Sequence, residues 1–313
     1  MNFFDAVFQG FIQGLTEFLP VSSSGHLTIC QHISGMTDNN LFFSVMLHIG
    51  TLAAVLTVYI KLVIRLFSAL KSIIVKIFKK QFKWSEMTSD ENLAMMIIIG
   101  LVPLFLLFLP IPGAGMKIKD LADLFSKDGY FLVVGLSLIA TSALLFFSGI
   151  KRPKVKVING KKMKLKPRKK YRVPDAVIVG ITQCFAAVFP GLSRSGSTLA
   201  ASRFRGIDKN TALNYSFLLG TPAIVAGALL ETKDVIFSPE GIKDINFFYV
   251  IVGMIISAVV GFVAIKLFKW LLKTDKMIIF VIYTAAVGFM IVIIGAIETA
   301  AGHNIFTGMP LNY

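Results

Sequence analysis

The sequence predicts an all-α membrane protein built as an inverted-topology repeat, each half a re-entrant helix pair followed by three transmembrane helices. Three observations carry this expectation: long apolar blocks, a one-sided distribution of basic residues, and a constant 170-residue offset at which the chain matches itself. Of the 313 residues, 55% are hydrophobic and 16% charged, where a soluble domain carries about 25% charged residues. Mean hydropathy is +0.75. Six stretches, about 41–60, 94–110, 131–149, 213–230, 247–265 and 277–297, are long enough or nearly so to cross roughly 30 Å of hydrocarbon as helices.

The net charge of +15 would suggest nucleic-acid binding in a soluble chain, but 26 of the 32 Lys and Arg lie in four segments, 61–93, 151–172, 203–209 and 266–276. If the six blocks span, all four segments fall on one face, and 111–130 and 231–246 fall on the other. That is the positive-inside pattern, so the basic loops of this inner-membrane protein are expected in the cytoplasm. Attraction to anionic lipid accounts for the charge, and no nucleic-acid partner is expected. The N-terminus, Met1-Asn2-Phe3-Phe4-Asp5, has no basic lead and reads as no cleaved signal. Cys30 and Cys184 lack metal-ligand spacing.

A shift of 170 residues aligns Asp5-Ala6-Val7 with Asp175-Ala176-Val177, Gly10 with Gly180, Gln13 with Gln183, Pro20 with Pro190, Ser23 with Ser193 and Gly50-Thr51 with Gly220-Thr221. One ungapped offset over some fifty residues indicates duplication. The division is then a first repeat over 1–150, a basic cytoplasmic linker over 151–173, and a second repeat over 174–313. Three spans separate equivalent points, and an odd number inverts the orientation of the second copy.

The segments 3–34 and 174–206 open with an apolar helical run, then a Pro, then a Ser/Gly/Thr cluster. In the first, Asp5, Gln9, Gln13 and Glu17 recur every four residues and form one polar stripe that cannot face lipid. Both are expected to be re-entrant: helix in, polar turn near mid-depth, helix out. Irregular backbone at that depth survives only where it is buried in protein or lines an aqueous cavity. Inversion lets the two turns meet there.

The first turn holds Gln13, Glu17, Ser22, Ser23, Ser24, Gly25 and His26; the second holds Ser193, Arg194, Ser195, Gly196, Ser197 and Thr198. Ionisable groups inside a membrane are costly enough to mark function. The set suits phosphoryl chemistry. Arg194 offers a bidentate fork to phosphate oxygens. Ser22, Ser24, Gly25, Ser193, Ser195, Gly196 and Thr198 can wrap an anion at helix starts, with Ser22, Ser24 and Ser197 also suited to capping. Glu17 is a hard ligand for Mg²⁺ or Ca²⁺. Ser23 can attack phosphorus with His26 as base and then acid, or His26 can activate water. His48, beside a matched point of the repeat, is a candidate cavity residue. His32 and His303 carry no assignment.

On these residues the chain resembles the bacterial undecaprenyl-diphosphate phosphatase family, also called the bacitracin-resistance protein family. The matching stretches are Gln13-Gly14-Leu15-Thr16-Glu17-Phe18-Leu19-Pro20-Val21-Ser22-Ser23-Ser24-Gly25-His26 and Pro190-Gly191-Leu192-Ser193-Arg194-Ser195-Gly196-Ser197-Thr198, within a resemblance that runs nearly end to end. It implies hydrolysis of a polyprenyl diphosphate to the monophosphate, which recycles the carrier lipid of wall synthesis. It further implies Glu17, Ser23, His26 and Arg194 as core residues, an assisting divalent cation, and a site open to the outer face. The chain departs from many members in carrying Gln13 where they have Glu; a neutral amide there suits orienting water or phosphate. Partners expected are the polyprenyl diphosphate and membrane lipids, with a homodimer left open. The rival reading is a lipid flippase or transporter using the same inverted-repeat cavity. A type 2 phosphatidate phosphatase is disfavoured, because no His between His48 and His303 can serve as its nucleophile.

Overall fold

The computed structural model describes residues 3–34, 41–149, 155–158, 161–164, 166–236 and 246–311. Among them run eleven α-helices: α1 Phe3–Phe18, α2 Ser23–Ser34, α3 Leu41–Phe78, α4 Ser89–Leu101, α5 Asp120–Phe125, α6 Phe131–Gly149, α7 Val173–Val188, α8 Arg194–Phe204, α9 Lys209–Ile236, α10 Phe247–Lys273 and α11 Ile278–Ala301. Six helical segments are long and apolar enough to cross a membrane: Phe42–Phe78, Ser89–Phe108, Asp128–Gly149, Lys209–Leu230, Phe247–Lys273 and Ile278–Ala301. The chain is thus a multi-pass membrane protein. Its polarity is arranged for lipid: large apolar side chains such as Phe105, Ile282, Phe289 and Ile293 are exposed, while Gln13, Glu17, Asp175 and Gln183 are buried.

Several expected boundaries shift. The first span does not stop at residue 60. α3 continues for 38 residues, about 57 Å at the helical rise, so its basic second half stands beyond the hydrocarbon as helix rather than loop. Lys76 and Ser72 there bond the buried carboxylate of Glu91, at 2.6 and 2.8 Å, tying the extension to the start of α4. The second span changes character at Pro103. The α-helix ends at Leu101 and a tighter 3₁₀ run follows over Val102–Phe108, because proline lacks the N–H and crowds the preceding turn. The basic linker carries a two-stranded antiparallel hairpin, β1 Val155–Ile158 with β2 Lys161–Lys164. Residue 150, residues 151–154, 159–160 and 165 of that linker, and 237–245 of the second neutral loop lie outside the described residues.

The two segments expected to be re-entrant are helix–turn–helix units, α1–α2 and α7–α8. Contacts between the two matched segments pair off. α1 lies along α10 and its counterpart α7 lies along α4, while α3 packs on α9 and α6 on α11. The matched glycines Gly10 and Gly180 sit at these crossings. A Cβ at either would collide with a backbone carbonyl, of Gly253 and Gly100 respectively. Close approach of this kind is how helices associate in lipid, where no hydrophobic force pulls them together.

Polar clamps close both ends. At one, the buried Asp175 accepts from Arg168 Nη1 at 2.7 Å, Arg205 Nε at 2.8 Å and the Arg172 amide at 3.0 Å. At the other, His32, to which the sequence assigned nothing, bridges Asp128 at 2.7 Å and Glu298 at 2.9 Å and stacks on Phe131. Removing Asp175 leaves two guanidinium groups without their carboxylate. Asp175→Ala is expected to lower stability by about 2–3 kcal/mol, read as a clear drop in Tm of the detergent-purified protein.

Candidate functional site

The site is made by two turns that stop helices in the same way and then restart them. α1 ends at Phe18 and Pro20 prevents its continuation. Ser22 takes the left-handed region at φ +72°, which is uncommon for a residue with a Cβ and marks a constrained position. Its Oγ accepts from the Gly25 amide at 3.2 Å and so caps α2. In the second turn Gly191 supplies φ +95°, and Ser193 Oγ accepts from the Gly196 amide at 3.1 Å to cap α8. The 170-residue offset pairs Ser23 with Ser193, yet the caps are Ser22 and Ser193. The first cap has slipped by one residue, and the slip frees the Ser23 hydroxyl.

The turns touch. Gly25 rests on the backbone of Gly191, closer than any side chain would allow, and Ser195 Oγ donates to the Leu19 carbonyl at 3.1 Å. Thr141 on α6 braces the second turn, donating to the Gly191 carbonyl at 3.0 Å and accepting from the Ser193 amide at 2.9 Å.

Glu17, 6% exposed, is the hub. Oε1 pairs with the Arg194 guanidinium. Oε2 accepts from Ser23 Oγ at 2.7 Å and from Gln13 Nε2 at 3.1 Å. His48 Nε2 stands 3.8 Å from the same oxygen. The other ring nitrogen, Nδ1, lies 2.9 Å from the Ser44 carbonyl; a carbonyl only accepts, so Nδ1 carries a proton and Nε2 is the nitrogen turned toward Glu17. Glu17, Ser23, His48 and Arg194 line a cavity of about 360 Å³. Ser22, Ser23, Ser24, Ser193, Arg194 and Ser195 give its polar wall; Leu104, Ala186, Ala187, Ala223 and Ile224 give an apolar one. Ser23 and Ser24 open α2, and Arg194 and Ser195 open α8. Both helices therefore present unpaired N–H groups and positive dipole ends at the cavity.

Not every expected residue arrives there. His26 does not meet Ser23, whose partner is Glu17. Its Nδ1 donates to the Ser22 carbonyl at 2.7 Å and its Nε2 is bonded to Tyr283 OH at 2.7 Å, and it is not among the residues lining the cavity. It braces the strained turn. Gly25 and Gly196 serve contact between the turns rather than lining the cavity: Gly196 faces Pro20 and its own cap. Thr198 is buried, donating to the Arg194 carbonyl at 2.7 Å and meeting Ser216 Oγ at 2.6 Å. Gln13 stands behind Glu17. Conversely Thr16 and Gln183 line the cavity without having been singled out for chemistry, although the offset had marked Gln183 as the mate of Gln13. Among the described residues no three His, Cys, Asp or Glu side chains gather as a cation cage.

The arrangement can hold a multiply charged anion between a guanidinium and two helix N-termini, with a hydroxyl beside a carboxylate positioned to take its proton. The family described as bacitracin resistance protein BacA matches residues 6–290. The undecaprenyl-diphosphatase of Halothermothrix orenii is 35% identical over 298 residues, covering 95% of this chain and 100% of the relative. That of Alkaliphilus metalliredigens is 34% identical over 296 residues, covering 94% and 98%. That of Treponema denticola is 34% identical over 291 residues, covering 92% and 96%.

The Arg194 guanidinium occupies the space that a Cβ at Gly220 would fill. Gly220→Ala is expected to displace it and to weaken inorganic phosphate binding about tenfold or more in isothermal calorimetry. Gly227→Ala, in the same cavity wall but facing open space, is expected to bind as the native protein does.

Proposed function

The chain belongs to the bacitracin resistance protein BacA family, and from that premise and the site we infer that it hydrolyses undecaprenyl diphosphate to undecaprenyl monophosphate and inorganic phosphate. Its role is then to recycle the wall carrier lipid, with bacitracin resistance as the associated trait. Its relatives are named as diphosphatases, which favours the hydrolase over the carrier reading. The observation that carries the mechanism is the 2.7 Å hydrogen bond from Ser23 Oγ to Glu17 Oε2, made next to Arg194 and inside a cavity.

Arg194 passes from Glu17 to the terminal phosphate as substrate enters, and the α2 and α8 N-termini take the remaining charge. Glu17, released from the guanidinium, accepts the Ser23 proton as Ser23 Oγ attacks the terminal phosphorus. The bond from that phosphorus to the bridging oxygen breaks, and the polyprenyl monophosphate leaves with the bridging oxygen. Glu17 gives that proton to the departing monophosphate. Water then attacks the phosphoserine and passes a proton to Glu17, which returns it to Ser23 Oγ as the bond from phosphorus to Oγ breaks, releasing inorganic phosphate and restoring the Ser23 hydroxyl. His26 acts as a positioning residue through Ser22. Gln13 fixes the Glu17 carboxylate.

A single cavity carboxylate fits Mg²⁺ or Ca²⁺ held jointly with substrate, since Mg²⁺ is ordinarily bound by one or two carboxylates plus phosphate oxygens. Glu17 would hold it, and the cation would supply charge neutralisation of the diphosphate.

We place the basic α3 extension, linker and α10–α11 turn in the cytoplasm of the inner membrane, with the cavity opening to the outer face. The paired contacts of α1 with α10 and α7 with α4 support two inverted copies sharing one cavity. The prenyl tail remains in lipid beside the apolar wall.

Phosphate release by purified protein tests the chemistry. Ser23→Ala and Glu17→Gln are each expected to lower kcat by about 10²-fold or more. Ser23→Ala should keep Tm within a few degrees of the native value, whereas Glu17→Gln should lower it because Arg194 loses its partner. A Ser23→Ala variant at near-native rate removes the nucleophile role. Orientation is read separately. In a Cys30→Ser, Cys184→Ala background, Lys166→Cys should react with an impermeant maleimide only after permeabilisation, and Thr307→Cys without it.

A further inference from the structure

α7 brings to the cavity an amide that nothing among the described residues satisfies. Gln183 is 1% exposed and lines the cavity, and neither its Nε2 nor its Oε1 has a hydrogen-bond partner among the described residues. Buried carboxamides without partners are rare and destabilising; Leu or Met would fill the same volume without that cost. The repeat shows how the partner was lost. In the first copy Gln13 donates to Glu17, one helical turn on. The matched pair in the second copy is Gln183 and Ala187, so a methyl group stands where the carboxylate would be. Ala187 also lines the cavity. The wall at Gln183 thus offers an unpaired N–H donor, has lost the negative charge that would repel an anion, and adjoins the apolar side chains Leu104 and Ala186.

We propose that Gln183 Nε2 binds the lipid-linked phosphate of the diphosphate, the one Ser23 does not attack. Glu17, Ser23 and His48 belong to α1, α2 and α3 and act on the terminal phosphate; α7 holds the second phosphate where the headgroup passes into the apolar wall and the tail. Gln183 is therefore a specificity determinant for a diphosphate over a monophosphate. The inference rests on the diphosphatase reading of the same cavity.

The test uses the full chain, Gln183→Leu and Gln183→Met, and two probes, inorganic pyrophosphate and orthophosphate, in isothermal calorimetry. Both variants are expected to bind pyrophosphate about tenfold or more weakly and orthophosphate nearly unchanged. Both should unfold at or above the native Tm, because an unpaired buried amide has been removed. With polyprenyl diphosphate as substrate, KM should rise by a similar factor and kcat change less than about threefold. Native pyrophosphate affinity in both variants overturns the proposal, as does a lowered Tm with native affinity and KM, which would make the amide a structural one. If the native protein binds pyrophosphate in a Gln183-dependent way but releases no phosphate, the diphosphatase reading fails and the binding assignment stands.

Discussion

The ion pair between Glu17 and Arg194 is the contact on which the site depends. Either charge alone inside the bilayer would cost several kcal/mol; paired, each makes the other tolerable, and the guanidinium has room only because residue 220 is glycine. The pair also joins the two helix–turn–helix units, since Glu17 lies in the last turn of α1 and Arg194 begins α8. Buried pairs of this kind are weak sources of net stability. In the mechanism we propose, the pair is a latch that an incoming phosphate replaces, exchanging one anion on Arg194 for another and leaving Glu17 free to act as a base. Binding and activation of the hydroxyl are then one event.

Around that latch the two matched segments differ in small steps. A one-residue slip of the cap separates Ser23, which faces a carboxylate, from Ser193, which holds a helix. One substitution separates Glu17 from Ala187, and with it a hydrogen-bonded Gln13 from an unpaired Gln183. The shared parts, the prolines, the glycine crossings and the paired packing of α1 on α10 and α7 on α4, hold the turns in place. The unshared parts carry the groups to which we assign the chemistry.

Much of this was legible in the sequence because the bilayer restricts the alternatives. Apolar length gave the six spans, and the offset gave the two helix–turn–helix units. Hydropathy could not show that α3 runs on to Phe78, since a helix leaving the membrane becomes basic without ceasing to be a helix. Glu17, Ser23 and Arg194 were identified by their chemistry and are in contact, and His48 lines the cavity as the sequence allowed. The pairing of Ser23 with His26 was inferred from closeness along the chain, but the left-handed Ser22 turns the imidazole back onto its own carbonyl and toward Tyr283. That conformation has no sequence signature in a serine. His32 was unassigned because its partners, Asp128 and Glu298, lie far away in sequence.

The central claim is that Glu17 makes Ser23 the nucleophile. It is tested most directly by rapid acid quench of the native protein during a single turnover on labelled polyprenyl diphosphate, followed by mass analysis of the peptide containing Ser23. The account predicts a phosphate bonded to Ser23 that rises before, and falls with, the release of inorganic phosphate. Full phosphate release with Ser23 unmodified at every time point would contradict it and assign the attack to water.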